Sequence, residues 1–398
     1  MFGELFFPVS DDPTIGTLLA FSTFSIGFLA RPLGGIIAGH YGDRIGRKPM
    51  LVLTLMVMGI ATTLIGLLPT YAQVGILAPI LLTVLRLIQG LSYGGEWGGA
   101  VLMVVEYAPE HRRGFWGSFP QAATPFGFVI ATAVLALSIE ISGDQFLVWG
   151  WRIPFLLSVL PVLVGLYIRL RIDETPVFKK VKDRVADERI PLVRAFKDYP
   201  RQILLAAGAF ILVSGPYYMI ISFMLSYGVT TLGVPRGVML NGVLIASLVQ
   251  GFACIGFGAL TDVVGRRPVI FGGGLFMLAY AYPMFWMVNT ADPATIWLAM
   301  SLGLFAFGAL YGPIAAYFAE LFVADIRYSA ASLGNQLGQV FGGGLAPFIS
   351  TLLLAATGGA YWPVPLYMIL LTLIGLASIW ALGETYRPGA ATDLGTSA

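Results

Sequence analysis

Arg86, Gln89, Tyr93 and Glu96 fall at relative angles of about 0°, −60°, −20° and −80° on a helix that turns ~100° per residue. Four polar groups therefore share one stripe about 15 Å long. Arg31 lies twelve residues before Asp43, about 18 Å along a helix. A guanidinium at such a place could take a carboxylate in bidentate fashion. Glu96 could carry a proton, because burial favours the neutral acid and a neighbouring arginine the charged one. The same residues also suit a plain Arg–Glu clamp that holds helices together, and that alternative stays open. In the second half of the chain Tyr217, Tyr218, Asn335 and Gln336 could add neutral hydrogen bonds, although aromatic residues there also serve packing.

The elements that must position these groups follow from composition. Of 398 residues, 57% are hydrophobic and 11% charged, where a soluble chain carries roughly 25% charged residues. A mean hydropathy of +0.83 requires hydrocarbon as solvent and excludes both a water-soluble globule and intrinsic disorder. A net charge of +2 leaves no basic face for nucleic acid, and the single cysteine, Cys254, can neither pair internally nor build a thiolate metal site. The glycine runs 272–274 and 342–344 follow no strand and match no phosphate loop, and no Walker or HExxH pattern occurs. No catalytic residue, metal or cofactor is expected.

A spanning helix needs about 20 apolar residues. Eleven stretches qualify: 14–40, 49–69, 76–107, 114–140, 152–170, 202–227, 238–261, 268–289, 295–322, 328–356 and 361–383. The fold class expected is all-α and polytopic. Alternate loops hold 19 of the 23 Lys and Arg residues, which places those loops and the C-terminus in the cytoplasm. The expected organisation is a five-helix bundle over 1–170, a charged linker over 171–201, a six-helix bundle over 202–384 and a cytoplasmic tail over 385–398. Ionisable groups at bilayer depth are expensive and should face a cavity or a partner.

Two motifs occur twice. GHYGDRIGRKP, from Gly39 to Pro49, and GALTDVVGRRP, from Gly258 to Pro268, share Gly, Asp, Gly, Arg and Pro at identical spacing. Glu106 precedes Arg113 by seven residues, as Glu320 precedes Arg327. Repeated halves of this kind build transporters that hold substrate between them near the midplane. Gly39 and Gly258 allow close helix approach, while Gly46 and Gly265 permit a tight turn. Asp43 and Asp262 are placed to meet a helix N-terminus and an arginine. With Arg44, Arg47, Glu106, Arg113, Arg266, Glu320 and Arg327 they form a candidate cytoplasmic gate.

At these residues the chain resembles the major facilitator superfamily. The strings ARPLGG (30–35), RLIQG (86–90), YGGEWGGA (93–100), WGWRIPF (149–155), DETPVF (173–178) and LGNQLGQVFGGGLAP (333–347) resemble its metabolite:proton symporter family. The resemblance covers nearly the whole chain. It implies proton-driven symport of a small metabolite across a bacterial inner membrane, among relatives that carry shikimate, alpha-ketoglutarate, citrate, or proline and betaine. It also implies twelve spans, so this chain is expected to lack the family's first helix, with its acidic and aromatic residues. Function as a monomer in the lipid bilayer is expected, with the proton as coupling ion and a small organic acid as the favoured cargo. The alternatives are a zwitterion or neutral cyclic cargo, and a truncated membrane protein that does not transport.

Overall fold

The computed structural model describes residues 2–7, 13–173, 197–323 and 326–386. Most of the charged linker expected over 171–201, namely 174–196, lies outside the described residues, as does the tail from 387 onward. The described residues form helices without a strand. In chain order they are α1 (Phe2–Phe6), α2 (Pro13–Ile45), α3 (Arg47–Leu67), α4 (Tyr71–Val74), α5 (Leu77–Tyr107), α6 (Arg113–Ser142), α7 (Arg152–Leu157) and α8 (Val159–Arg171). After the linker come α9 (Pro200–Tyr218), α10 (Met224–Thr230), α11 (Arg236–Val264), α12 (Arg266–Val288), α13 (Pro293–Leu321), α14 (Arg327–Gly338), α15 (Ala346–Ala356) and α16 (Pro363–Leu382).

Short π-helical turns over Met219–Phe223 and Gln339–Gly344 join α9 to α10 and α14 to α15. With those junctions counted as continuous, ten helical stretches among the described residues are long and apolar enough to cross a bilayer. α2, at 33 residues, has the length as well, since about 20 residues suffice. The outer faces confirm the solvent: Leu29 is 68% exposed, Phe252 68% and Trp380 70%. Apolar side chains so bare are stable in hydrocarbon and not in water.

Within the first half, α5 packs between α2 and α3, and α3 packs on α7 and α8. In the second half α9 packs on α16, and α13 lies between α11 and α12. The halves meet along two seams, α2 against α14 and α6 against α11. Trp97 of α5 bridges them, with its ring edge-on to Phe210 and Phe318 at 5.6 and 5.8 Å.

Glycine sets the closest approach. A Cβ on Gly34 would strike the Leu91 carbonyl, one on Gly90 the Gly27 carbonyl and one on Gly94 the Arg31 carbonyl. Backbone thus lies on backbone between α2 and α5, the contact that small residues permit between membrane helices. Its consequence is positional: Arg31 is brought directly over Tyr93. Gly94→Ala is expected to destabilise the protein by about 1–3 kcal/mol through overpacking. The check is the thermal unfolding midpoint in detergent, with Gly256→Ala as the control, because a Cβ there meets nothing within 4 Å.

Candidate functional site

The Arg31 guanidinium lies 3.5 Å from the centroid of the Phe28 ring and 4.1 Å from that of Tyr93. Its Nη1 donates to Gln339 Oε1 at 2.9 Å, across the seam between the halves. Its Nε is buried without a partner. On α5, Arg86 Nη1 donates to Gln89 Oε1 at 3.2 Å, and Gln89 Nε2 donates to Thr62 of α3 at 2.7 Å. The Arg86 guanidinium also lies 5.3 Å from the Phe2 ring. Together Gly27, Phe28, Arg31, Met58, Arg86, Gln89, Gly90 and Tyr93 line a cavity of about 180 Å³. A smaller one, about 50 Å³, shares Tyr93 and is walled by Thr124, Ser214, Tyr217, Tyr218, Phe307, Tyr311 and Gln339, among others. Neither lining contains a carboxylate.

The sequence stripe on α5 therefore divides. Arg86, Gln89 and Tyr93 reach the cavity, but Glu96 does not line it. Glu96 Oε1 instead meets Arg169 Nη2 of α8 at 2.8 Å, and Arg169 also donates to the Leu51 carbonyl. The reason is angular: Glu96 sits at the edge of a stripe about 80° wide, and that edge faces α3 and α8. Tyr217 and Tyr218 line the smaller cavity, their rings 5.2 Å apart. Asn335 and Gln336 lie fully buried on α14 outside both linings. Gln336 Nε2 donates to the Gly94 carbonyl at 3.1 Å, closing the seam, and Asn335 Oδ1 accepts from Gln339 Nε2 at 3.0 Å.

Gln339, Tyr311 and Arg169 did not stand out in the sequence. Gln339 follows Asn335 by four residues, the spacing that puts two side chains on one helix face, and that was its available signal. It sits in the π-helical turn before Gly344, a distortion frequent at functional sites. Tyr311 is one apolar-looking residue in a continuous hydrophobic helix, and Arg169 reads as one more basic residue at a helix end.

At the end of the bundle that carries the repeated motifs, the two seams are sealed in the same way. Asp43 Oδ1 and Oδ2 accept from the backbone N–H groups of Tyr328 and Ser329 at 3.1 and 2.9 Å. Asp262 Oδ1 and Oδ2 accept from those of Gly114 and Phe115 at 2.8 and 2.7 Å. These donors are the second and third residues of α14 and α6, where helices leave N–H groups unsatisfied. Each half thus caps a helix of the other, and the helix dipole favours the carboxylate's charge.

Close approach is built in. A Cβ on Gly39 would lie 2.7 Å from Ser329 Cα, and one on Gly258 would strike Ser118. Gly46 at φ 117° and Gly265 at φ 99° make the turns, in a region that L side chains rarely adopt.

Behind the carboxylates, Arg266 is fully buried and reaches Asp262 at 2.8 Å and Glu320 at 3.0 Å. Arg47 lies 3.6 Å from Glu106, and Arg327 reaches the same carboxylate across the seam at 3.3 Å. Arg113 meets Glu110 at 3.6 Å. Arg44 is exposed.

Helices that require hydrocarbon, two halves sealed crosswise at one end and a small cation-lined cavity above the seal define a class, the multi-pass membrane transporter, rather than an enzyme. Residues 10–347 match the Major Facilitator Superfamily, and the chain belongs to that family. Its sequence is 38% identical over 394 residues to the shikimate transporter of Escherichia coli (strain K12), covering 97% of this chain and 89% of that one. The inner membrane metabolite transport protein YhjE of the same organism is 37% identical over 97% of this chain and 88% of its own. The proline/betaine transporter of Salmonella typhimurium (strain LT2) is 33% identical over 96% and 78%. Among solved structures, the proton:xylose symporter XylE superposes with a TM-score of 0.77 at 17% identity, covering 94% of this chain and 88% of the other. FucP in its outward conformation gives 0.70 at 16%, covering 95% and 92%. The chain is a transporter of small metabolites.

Proposed function

We propose that this transporter accumulates a small organic acid by proton symport, working by alternating access between its two halves. The observation that carries the reading is the cavity of about 180 Å³ lined by Arg31 and Arg86 with no Asp or Glu in its wall. Two cations held in a low-dielectric site without a lining counter-charge are stabilised by an anionic ligand. The ring faces of Tyr217, Tyr218 and Phe307 offer an apolar surface to the rest of such a molecule. The likeness to a shikimate transporter supports an acid as cargo, and the likeness to proline/betaine transporters keeps a zwitterion as the competing reading. Shikimate and glycine betaine are accordingly the probes. In proteoliposomes with an imposed pH gradient, radiolabelled shikimate should accumulate and excess glycine betaine should leave its initial rate unchanged. Betaine uptake with no shikimate uptake would overturn the acid reading.

The end holding Asp43 and Asp262 is assigned to the cytoplasm of a bacterial inner membrane, since the basic loops lie there. The two Asp contacts act as its latch. Arg31, about 18 Å along α2 from Asp43, then sits near the midplane.

Glu96 is proposed as the proton-linked acid. Its partner Arg169 and the seam residue Tyr328 surround it, Tyr328 OH donating to the Gly95 carbonyl beside it at 2.6 Å. Protonation would release Arg169 just where α14 must part from α5. Glu96→Gln is expected to abolish accumulation against a gradient while exchange of internal for external shikimate persists within a few-fold. Counterflow and pH-driven uptake measured side by side check this, and accumulation at the parent level would refute the assignment.

A further inference from the structure

We propose that Gly383–Tyr386, the four residues after the last helix, form a clasp that sets how firmly the seam between α6 and α11 stays shut. Glu384 and Tyr386 are its positioning residues. The inference rests on reading Asp262 as a latch.

The segment touches every member of the group behind that latch. Glu384 Oε1 accepts from Arg266 N at 3.2 Å and Oε2 from Arg267 N at 2.9 Å, so its carboxylate caps the first turn of α12. Thr385 Oγ1 donates to Glu320 Oε2 at 2.7 Å. Tyr386 OH donates to the Asp262 carbonyl at 2.7 Å, and its ring lies 4.8 Å from the Arg266 guanidinium. The Gly383 carbonyl accepts from Tyr317 OH at 2.8 Å, tying the segment to α13.

Asp262 must hold both carboxylate oxygens against two N–H groups of α6. Its side chain is steadied by Arg266 and its backbone by Tyr386, so four helix ends are fastened around one carboxylate. Gly265 belongs to the same device: a Cβ there would lie 2.9 Å from Glu384 Oε2, and its turn lets the N–H groups of Arg266 and Arg267 point at that carboxylate. The clasp contacts the second half alone. Loosening it leaves both partners of the seam intact and raises the conformational entropy lost each time Asp262 docks. The seam then opens more often.

Ser118 is fully buried in this seam, packed against Gly258. With Cys254→Ala removing the only native thiol, Ser118→Cys reports opening through its rate of reaction with a membrane-impermeant maleimide, measured on the full chain in lipid nanodiscs. Glu384→Gln and Tyr386→Phe should each raise that rate about three- to tenfold, and Asp262→Asn should raise it further. Ser350→Cys, buried in α15 away from the seam, should react no faster with either clasp substitution. Parent-rate labelling of Ser118→Cys in both clasp variants, with Asp262→Asn still faster, would overturn the clasp and leave the latch standing. Equal acceleration at positions 118 and 350 would show general loosening and also overturn it. No response even to Asp262→Asn would remove the latch reading and this inference with it. Tyr386→Phe deletes one hydroxyl and keeps the ring over Arg266, so it serves as the variant least able to disturb folding.

Discussion

Arg31→Gln is expected to reduce kcat/KM for pH-driven shikimate uptake by about thirty- to several-thousand-fold. The reason lies in what the substitution removes. In the empty site one Arg31 nitrogen is bonded to Gln339, and the guanidinium plane is sandwiched by Phe28 and Tyr93. That packing fixes the fork before a ligand arrives, so little entropy is lost on binding. Losing one member of a desolvated charged hydrogen-bonded pair costs about 2–5 kcal/mol, and each 1.4 kcal/mol is tenfold. Glutamine keeps the helix and some of the length but brings no charge and one donor group in place of five.

Gln339→Ala separates ligand binding from seam closure. If Arg31 serves the substrate, Gln339→Ala should raise KM by only a few-fold, since the cation remains. Were Arg31 only a strut between the halves, both substitutions would impair uptake to the same degree. Lysine at position 31 should recover part of the rate, because the charge returns without the planar, bidentate geometry. Initial-rate kinetics in proteoliposomes decide among these outcomes.

Asp43→Asn is expected to raise the exposure of the α2–α14 seam about tenfold or more. Each carboxylate oxygen now accepts one N–H of α14. An amide retains one acceptor and turns an NH2 toward the second N–H, leaving it unpaired in a buried interface. Hydrogen bonds to a charged group contribute roughly 1.5–3 kcal/mol, and the interaction with the helix dipole adds a few tenths to 1 kcal/mol.

Ser332→Cys, buried where α14 faces Gly98, reports this seam by its maleimide reaction rate. Combining Asp43→Asn with Asp262→Asn should multiply the two effects, because both carboxylates bias the same closing equilibrium. Accumulation of substrate should fall with them, as a gate that stays open short-circuits the gradient. A labelling rate unchanged by Asp43→Asn would show that the seam is held by packing alone, and the latch would lose its basis.

Several features were legible before any coordinates. The repeated Gly, Asp, Gly and Arg pattern located both carboxylates, both turns and both close approaches, and each of those residues stands at a contact in the structure. Such a motif is local: a turn needs a glycine at one position, and a carboxylate four residues before an arginine on a helix meets it, as Asp262 meets Arg266.

Partners distant in sequence were not legible. Glu96 chose Arg169, 73 residues away, and Arg31 chose Gln339, 308 residues away. Angular position assigned Glu96 to the polar stripe but not to the helix that faces it. The clasp escaped notice for a similar reason. Residues following the last apolar stretch read as the start of a tail, and nothing local marks Glu384 as the cap of a helix that begins more than a hundred residues earlier.

Sequence alone determined the solvent, the helices, their approximate ends and the twofold repetition. Hydrocarbon offers the backbone no hydrogen-bond partners, so every apolar stretch of sufficient length must satisfy itself as a helix, whatever its neighbours. Tertiary structure alone decided how each helix is rotated and which face it shows to which partner. In a bilayer the apolar side chains give little preference for protein over lipid, so close packing at glycine and a few polar contacts fix those rotations. The depth at which Gly94 admits the Arg31 backbone therefore settles which charges share the cavity and which become a clamp.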